Sequence, residues 1–319
     1  MADLGPVNSE ENWERKVLEK VALAAIQEQR RARHWGIFFK LLLFIYLFAL
    51  LFIGMGWVGI KDTRPSKHTA LVEVRGVIAD KGSASADNVM AGLQDAFKDK
   101  RTQGVVLRIN SPGGSPVQAA YINDEIRRLR AQYPDIPLYA VVEDIGASGG
   151  YYVAVAADKI FVNKSSIIGS IGVLMDGFGF TGLMEKLGIE RRLLAAGENK
   201  GFLDPFSPID ESHRKYAEKM LDEIHQQFIN VVRQGRGDRL KDSPEIFSGL
   251  LWIGTQSIEL GLADALGGVD YVAREVIKAE NIVDFTPREN IAERVARRFG
   301  AAMAETLVKL GAVNAFNMR

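Results

Sequence analysis

The stretch GASGG, residues 146 to 150, sets one serine among three glycines, between a strand-like apolar run and a helix-like one. Ser148 at such a turn reads as a nucleophile, but a serine hydroxyl scarcely ionises at neutral pH and needs a base. The chain has four histidines: His34, His68, His213 and His225. His34 adjoins a long apolar segment and His68 falls in a polar linker, so a triad with an upstream histidine fails. His213 and His225 fall inside a long helix, on its polar and solvated side, rather than on the loop a hydrolase histidine occupies. A lysine base remains. Its pKa, ordinarily about 10.4, must fall to about 7, which a tight, partly apolar site achieves by desolvation. Lys159 starts a strand and Lys186 ends a polar helix face, so both are expected in solvent. Lys164 follows a strand. Lys200 lies in AAGENKGFLDPFSP, between Gly197 and Gly201 and ahead of Phe202 and Leu203. On spacing alone Lys164 and Lys200 both stay open.

A second loop, INSPGGS at 109 to 115, also follows a strand and opens a helix. Gly113 and Gly114 let the backbone come close to a ligand with N–H groups unengaged, as an oxyanion hole requires. The N–H of Gly149, just after the serine, can add a donor. Neither loop has the spacing of a phosphate-binding GxGxxG or Walker motif.

These loops need strands that end beside one another. The pattern from about residue 69 alternates strand and helix. ALVEVRGVI is a strand, SADNVMAGLQDAFKD an amphipathic helix and GVVLRIN a strand. SPVQAAYINDEIRRLRAQ is a helix with Ser115 as N-cap, Pro116 first and Gln118 completing a capping box. PLYAVVED is a strand and GYYVAVAAD a short helix, apolar all round and therefore buried. KIFVN, GSIGVL and IERRLLAA read as further strands. A long helix is expected from about Pro208 to Arg233, capped by Ser207, and the stretch 251–277 closes the core. Repeated units of this kind predict an α/β domain with mainly parallel strands, whose C-terminal ends hold the site.

The chain has 319 residues, 40 basic against 40 acidic side chains, and no cysteine. The balance gives no reason to expect nucleic acid as a partner, and the missing thiols exclude disulfides and cysteine nucleophiles. Residues 35 to 60, WGIFFKLLLFIYLFALLFIGMGWVGI, carry one charge, Lys40. The run exceeds the ~20 residues that cross a bilayer, and Trp35 and Trp57 flank it as interface residues do. With 34 residues ahead of it, it reads as an uncleaved transmembrane helix. Arg30, Arg31 and Arg33 put the N-terminal side in the cytoplasm, although Lys61, Arg64 and Lys67 on the other side keep the asymmetry modest. Residues 9 to 33 form a surface helix striped by Trp13, Val17, Val21 and Ala24.

INSPGG, GASGGYYVAVAADKI, GSIGVL, ENKGFLDPFSP and LGLADALGG, in this order, resemble the signal peptide peptidase A family, the S49 serine peptidases. The resemblance runs from about residue 70 to about 280 and is to the half-length form, with one domain copy after a membrane anchor. It implies a ClpP/crotonase-like α/β fold. The family nucleophile falls on Ser148 and its general base on Lys200. The oxyanion donors fall near Gly113 or Gly114 and on Gly149. A serine that orients the lysine would be Ser170 or Ser207. The implied layout is 1–34 cytoplasmic helical segment, 35–60 anchor, 61–68 linker, 69–283 peptidase domain and 284–319 helical tail, with Ile291, Val295 and Phe299 on one stripe. The resemblance further implies cleaved signal peptides as substrates and no metal or organic cofactor. It also implies a bacterial inner-membrane location with the catalytic domain facing the periplasm or outside, and a homo-oligomeric ring whose sites are shared between subunits. The rivals are a crotonase-type acyl-CoA enzyme and an inactive membrane scaffold.

Overall fold

The computed structural model describes residues 9–54, 67–241 and 243–287. The end of the expected anchor, the linker up to residue 66, and the expected tail beyond 287, with Ile291, Val295 and Phe299, lie outside the described residues. Helix α1 belongs to one compact unit and residues 67–287 to another.

Helix α1 spans Ser9–Gly54, 46 residues, about 70 Å at the ordinary rise. The expected surface helix and anchor are therefore continuous. No proline interrupts them, and Arg30–His34 at the junction are compatible with helix. By length and composition the helix is able to cross a membrane.

The second unit is built on an eight-stranded sheet, ordered β6-β5-β3-β2-β1-β8, with β4 branching from β3 and pairing β7. Strands β1 (His68–Arg75), β2 (Thr102–Ser111) and β3 (Leu138–Ala147) form its parallel centre. β4 (Lys159–Val162), β5 (Ile167–Gly169), β7 (Ala265–Leu266) and β8 (Ile282–Asp284) extend it in parallel, and β6 (Leu251–Ile253) alone runs antiparallel, against β5. His68 is thus the buried first residue of β1, within hydrogen-bond distance of the Thr102 hydroxyl, and not part of the linker.

The central strands are apolar on both faces because both are covered. On one face Val72, Val74, Leu107, Ile109, Ala140 and Val142 join the main core with α2 (Ala86–Lys98), α3 (Pro116–Gln132) and α4 (Gly149–Ala154). On the other, Leu71, Val106, Val141 and Phe161 pack with Val272 from the helical segment Val269–Ile277. Each fully buried Leu, Ile or Val contributes roughly 1.5–3 kcal/mol.

Helix α2 buries Val89, Leu93, Ala96 and Phe97, one stripe at 3.6 spacing, and Ser85 caps it. In α3, Ser115 accepts from the Gln118 N–H as expected. The return bond of a capping box is absent. The Ser115 N–H is taken by the Ile78 carbonyl, and Gln118 Oε1 instead accepts from the Ala86 N–H at the start of α2.

Four further expectations are corrected. GSIGVL is not a strand over its length, because β5 ends at Gly169. IERRLLAA, 189 to 196, is exposed and pairs with no strand among the described residues. It follows the short helix α5 (Thr181–Lys186). The long helix α6 runs Glu211–Arg236, capped by Asp210 and not Ser207. A carboxylate accepts both the Ser212 and His213 N–H groups there, and Ser207 is engaged elsewhere. His213 and His225 are both half-buried instead of solvated.

Candidate active site

The C-terminal ends of β3 and β5 meet at Ser148. Ala147 pairs with Gly169, and the Ser148 N–H continues the ladder by donating to the Gly169 carbonyl at 2.8 Å. Ser148 then breaks the strand, with φ 51° and ψ −123°. A side chain held at positive φ costs about 1–3 kcal/mol, which its surroundings must hold in place. They do so through the ladder bond on one side and α4 on the other, where Tyr152 N–H donates to the Ser148 carbonyl. Tyr151 is fully buried and donates its hydroxyl to the Leu262 carbonyl at 2.8 Å, fixing α4 to the core. Burial pushes the Tyr151 phenol up, which keeps it a neutral donor. Ser148 stands at the N-cap of α4 but makes no capping bond, and its hydroxyl has no hydrogen bond among the described residues.

The INSPGGS loop packs directly on this turn. Gly113 has φ +101°, and a Cβ there would lie 2.8 Å from Ser148 Cβ and 2.6 Å from Gly149 N. No other residue type fits that gap. Gly113 N–H donates to the buried Ser111 hydroxyl. Ile78 holds the next residues, its N–H bonding Gly113 O and its carbonyl accepting from Ser115 N–H. In that parallel bridge Gly114 turns its own N–H away from Ile78. The Gly114 nitrogen lies beside Gly149, where a Cβ would lie 3.3 Å from it. The Gly114 N–H donates no hydrogen bond among the described residues. Two backbone donors, on Gly114 and Gly149, therefore flank the serine. Ser111 is a contributor that sequence reasoning passed over. Its only signal was its place one residue before the Pro-Gly-Gly turn.

Ser170 follows Gly169 and shares the unusual backbone of Ser148, with φ 52°. Its N–H donates the other way, to Leu250 O on the β6 side. Ser170 is thus in the strand row next to Ser148. Ser207 is not. Its hydroxyl donates to Asp204 Oδ2 at 2.7 Å, and this bond, with Arg191 nearby, holds the Asp204 carboxyl below the usual carboxylate range.

Lys200 lies on an exposed arm, residues 172–210, whose only regular element is α5. The arm is clipped to α6 beside Lys200: His213 Nε2 and Asn199 Oδ1 are 3.1 Å apart, and the Phe202 ring packs on His213 and Tyr216. His225 binds the start of the arm, 3.0 Å from the Ile171 carbonyl. No hydrogen bond joins Lys200 to Ser148 among the described residues of one chain. Lys164, the other lysine left open by spacing, lines a separate cleft with Glu143 and Asp144 at the ends of β3 and β4. No group of three or more His, Asp or Glu side chains that could hold a metal is found among the described residues.

Alternating strand–helix units, with a serine held at positive φ between two glycine loops at the strand ends, make this an α/β domain of the ClpP/crotonase-like kind. The profile of peptidase family S49 matches residues 130–283. A protein of Enterococcus faecium, provisionally named signal peptide peptidase SppA, is 31% identical over 235 residues, 71% of this chain and 68% of that one. A provisionally named protease of Synechocystis is 31% identical over 205 residues, 64% of this chain and 72% of that one. A Brucella melitensis protein named as the Na(+)/H(+) antiporter NhaA is 46% identical over 175 residues, 55% of this chain. The chain spans 24% of the length of that Brucella relative. The chain belongs to the S49 peptidase family.

Proposed function

We propose that the chain is a membrane-anchored serine endopeptidase with Ser148 as nucleophile and Lys200 as general base. The observation that carries this is the Ser148 turn: an uncommitted hydroxyl on a strained backbone, flanked by the Gly114 and Gly149 N–H groups. The Lys200 amine takes the hydroxyl proton as Oγ attacks a peptide carbonyl carbon. The two N–H groups hold the tetrahedral oxyanion, while Gly113 supplies the room. Collapse expels the amine, which takes the proton from Lys200. Water, deprotonated in turn by Lys200, then hydrolyses the acyl-enzyme. Ser170, next to Ser148 in the sheet, is favoured over Ser207 as the group that orients the lysine.

The substrates are peptides, and we read them as signal peptides already released from secreted proteins, in line with the name of the Enterococcus relative. Arg30, Arg31 and Arg33 favour a cytoplasmic N-terminus with the enzyme domain across the inner membrane. Lys200 is exposed within its own chain, which supports a site completed across a subunit boundary, in a ring closed by a heterologous contact.

A fluorophosphonate tests the nucleophile. It is expected to label the wild-type chain at Ser148 and not the Ser148→Ala variant. An acyl-CoA enzyme or an inactive scaffold would not label, and that outcome sinks the peptidase reading. Co-assembly of Ser148→Ala with Lys200→Ala subunits tests the shared site. Random mixing in a closed ring is expected to restore about a quarter of the sites. Mixed rings without activity would leave the dyad inside one chain.

A further inference from the structure

His213 takes no proton in the reaction, yet it stands beside the general base. It is the third residue of α6, just after the Asp210 cap. A histidine there gains little from the helix, because its propensity is ordinary and positive charge is disfavoured at a helix N-terminus. Its place is explained by what the side chain touches. Nε2 lies 3.1 Å from Oδ1 of Asn199, the residue before Lys200. The ring packs on Phe202, two residues after Lys200, with centroids 5.2 Å apart. With the Asn199 oxygen as acceptor, Nε2 carries the proton and donates.

The segment that carries Lys200 needs holding. Residues 197–204 form a run of tight turns, in which the Lys200 N–H donates to the Gly197 carbonyl, Phe202 N–H to Asn199 and Asp204 N–H to Gly201. Leu203 sits inside this run at φ 51°. Among the described residues, four that are not glycine have positive φ: Ser148, Ser170, Leu203 and Lys278. Lys278 closes a helical segment, where a left-handed residue is ordinary. Ser148 and Ser170 frame the nucleophile. Leu203 is the strained residue on the side of the base, and such a backbone persists only where its surroundings over-determine it. No residue of 197–204 is buried, so the core does not fix the run. Its contacts with α6 are those of Asn199 and Phe202 with His213, and of Phe202 edge-on with Tyr216.

We propose that His213 is a positioning residue for the general base: through Asn199 and Phe202 it holds the strained run that aims Lys200. This rests on the reading of Lys200 as the base. The far end of the chain of contacts is fixed by the helix cap, where the Asp210 carboxylate accepts the Ser212 and His213 N–H groups and so sets the backbone from which the imidazole reaches. His213 hands no proton on. It acts by placing the Lys200 amine, so it serves proton transfer and not the affinity for substrate. A catalytic group misplaced by about 1 Å loses about 10²-fold in rate.

The test uses the full-length chain in detergent and an internally quenched apolar peptide. His213→Leu is expected to lower kcat by about 10²-fold, with KM within about twofold of the wild type. Fluorophosphonate labelling of Ser148 should slow with kcat. His213→Gln, whose Nε2 still donates, should turn over at least about tenfold faster than His213→Leu. Asn199→Leu removes the acceptor at an exposed position, where the fold does not depend on it, and should also lower kcat with KM kept. The double variant should be no slower than His213→Leu, because both changes break one contact. A leucine variant at either position with wild-type turnover, a loss confined to KM, a glutamine variant as slow as the leucine one, or additive losses in the double variant would each overturn the positioning role. Should His213→Leu fail to fold, Asn199→Leu and His213→Gln decide the matter. Activity retained in Lys200→Ala would overturn the base itself, whereas an inactive Lys200→Ala beside normal His213 variants rejects the positioning role alone.

Discussion

Ser148 and Lys200 sit in regions the chain builds in opposite ways. The serine side is framed by buried strands, by α4 with its buried Tyr151, and by a glycine turn too tight to accept a Cβ. The lysine side is an arm with exposed leucines and phenylalanines, tied down by Asn199, Phe202 and His225 rather than by a core. A strained nucleophile needs surroundings that over-determine its backbone. A segment that leaves its apolar side chains in water is completed by something outside its own fold. The difference gives one region a packed interior of its own and leaves the other region's apolar side chains exposed, and substitutions can separate the two.

The largest effect is expected at Lys200. Lys200→Arg keeps the charge but not the basicity, because an arginine does not give up its proton in a protein. Peptide hydrolysis is expected to fall by about 10³-fold or more. Thermal unfolding should stay within about 0.5 kcal/mol, since the side chain is exposed. An active arginine variant would mean that position 200 supplies charge rather than a base.

Asp264 probes the packed region. Arg236, 1% exposed, donates to both Asp264 oxygens and to the Gly261 carbonyl, and the Asp264 carboxylate also accepts from Ile160 N–H. Burial alone would raise the Asp264 pKa, but the bonds and charge of Arg236 outweigh it and the pKa is lowered. Asp264→Ala strands a buried guanidinium, and chemical unfolding should show a loss of about 3–5 kcal/mol. The folded pKa lies below the unfolded one. The carboxylate's contribution is therefore complete at neutral pH and is lost as pH falls through the folded value, below about 4. The gap between wild type and Asp264→Ala should narrow over that acid range. A gap independent of pH would mean that packing, not the ion pair, is what position 264 contributes.

The packed region was legible because its signals are local. Ser115 caps where its spacing says, the apolar runs of β1 to β3 lie where read, and GASGG forms the turn it suggests. Even here the reading failed where a local signal met a distant competitor. Gln118 could have closed its own capping box, but the Ala86 N–H claimed it. The arm was misread for a related reason. IERRLLAA has the composition of a strand, but a strand needs a partner, and among the described residues none pairs with it. The same limit applies to the base. Lys164 and Lys200 could not be separated by spacing, because what distinguishes them is the company each keeps in space.

Gly113→Ala tests whether the turn is as tight as its contacts say. The methyl would enter space held by Gly149 N and Ser148 Cβ at a φ of +101°. The backbone must shift, at about 1–3 kcal/mol. The shift displaces the Gly149 N–H, and a lost oxyanion donor lowers turnover by about 10²-fold. Fluorophosphonate labelling should slow with it. A variant of normal activity would show that the oxyanion is held elsewhere.

The smallest effect on folding is expected in the arm, and it is the most direct measure of the contrast. Leu107 is fully buried in β2, whereas Leu194 is 96% exposed. Leu107→Ala should cost about 2–5 kcal/mol of stability, the ordinary result of emptying a packed site. Leu194→Ala removes no contact that a single chain makes, so unfolding of the dissociated chain should change by less than about 0.5 kcal/mol. On the proposed reading of a site shared between subunits, its activity should nevertheless fall on dilution, at concentrations where the wild type is still fully active. Measuring specific activity against protein concentration for both chains separates the two roles. Coincident dilution curves would return Leu194 to the status of an ordinary exposed side chain and leave the arm without its partner.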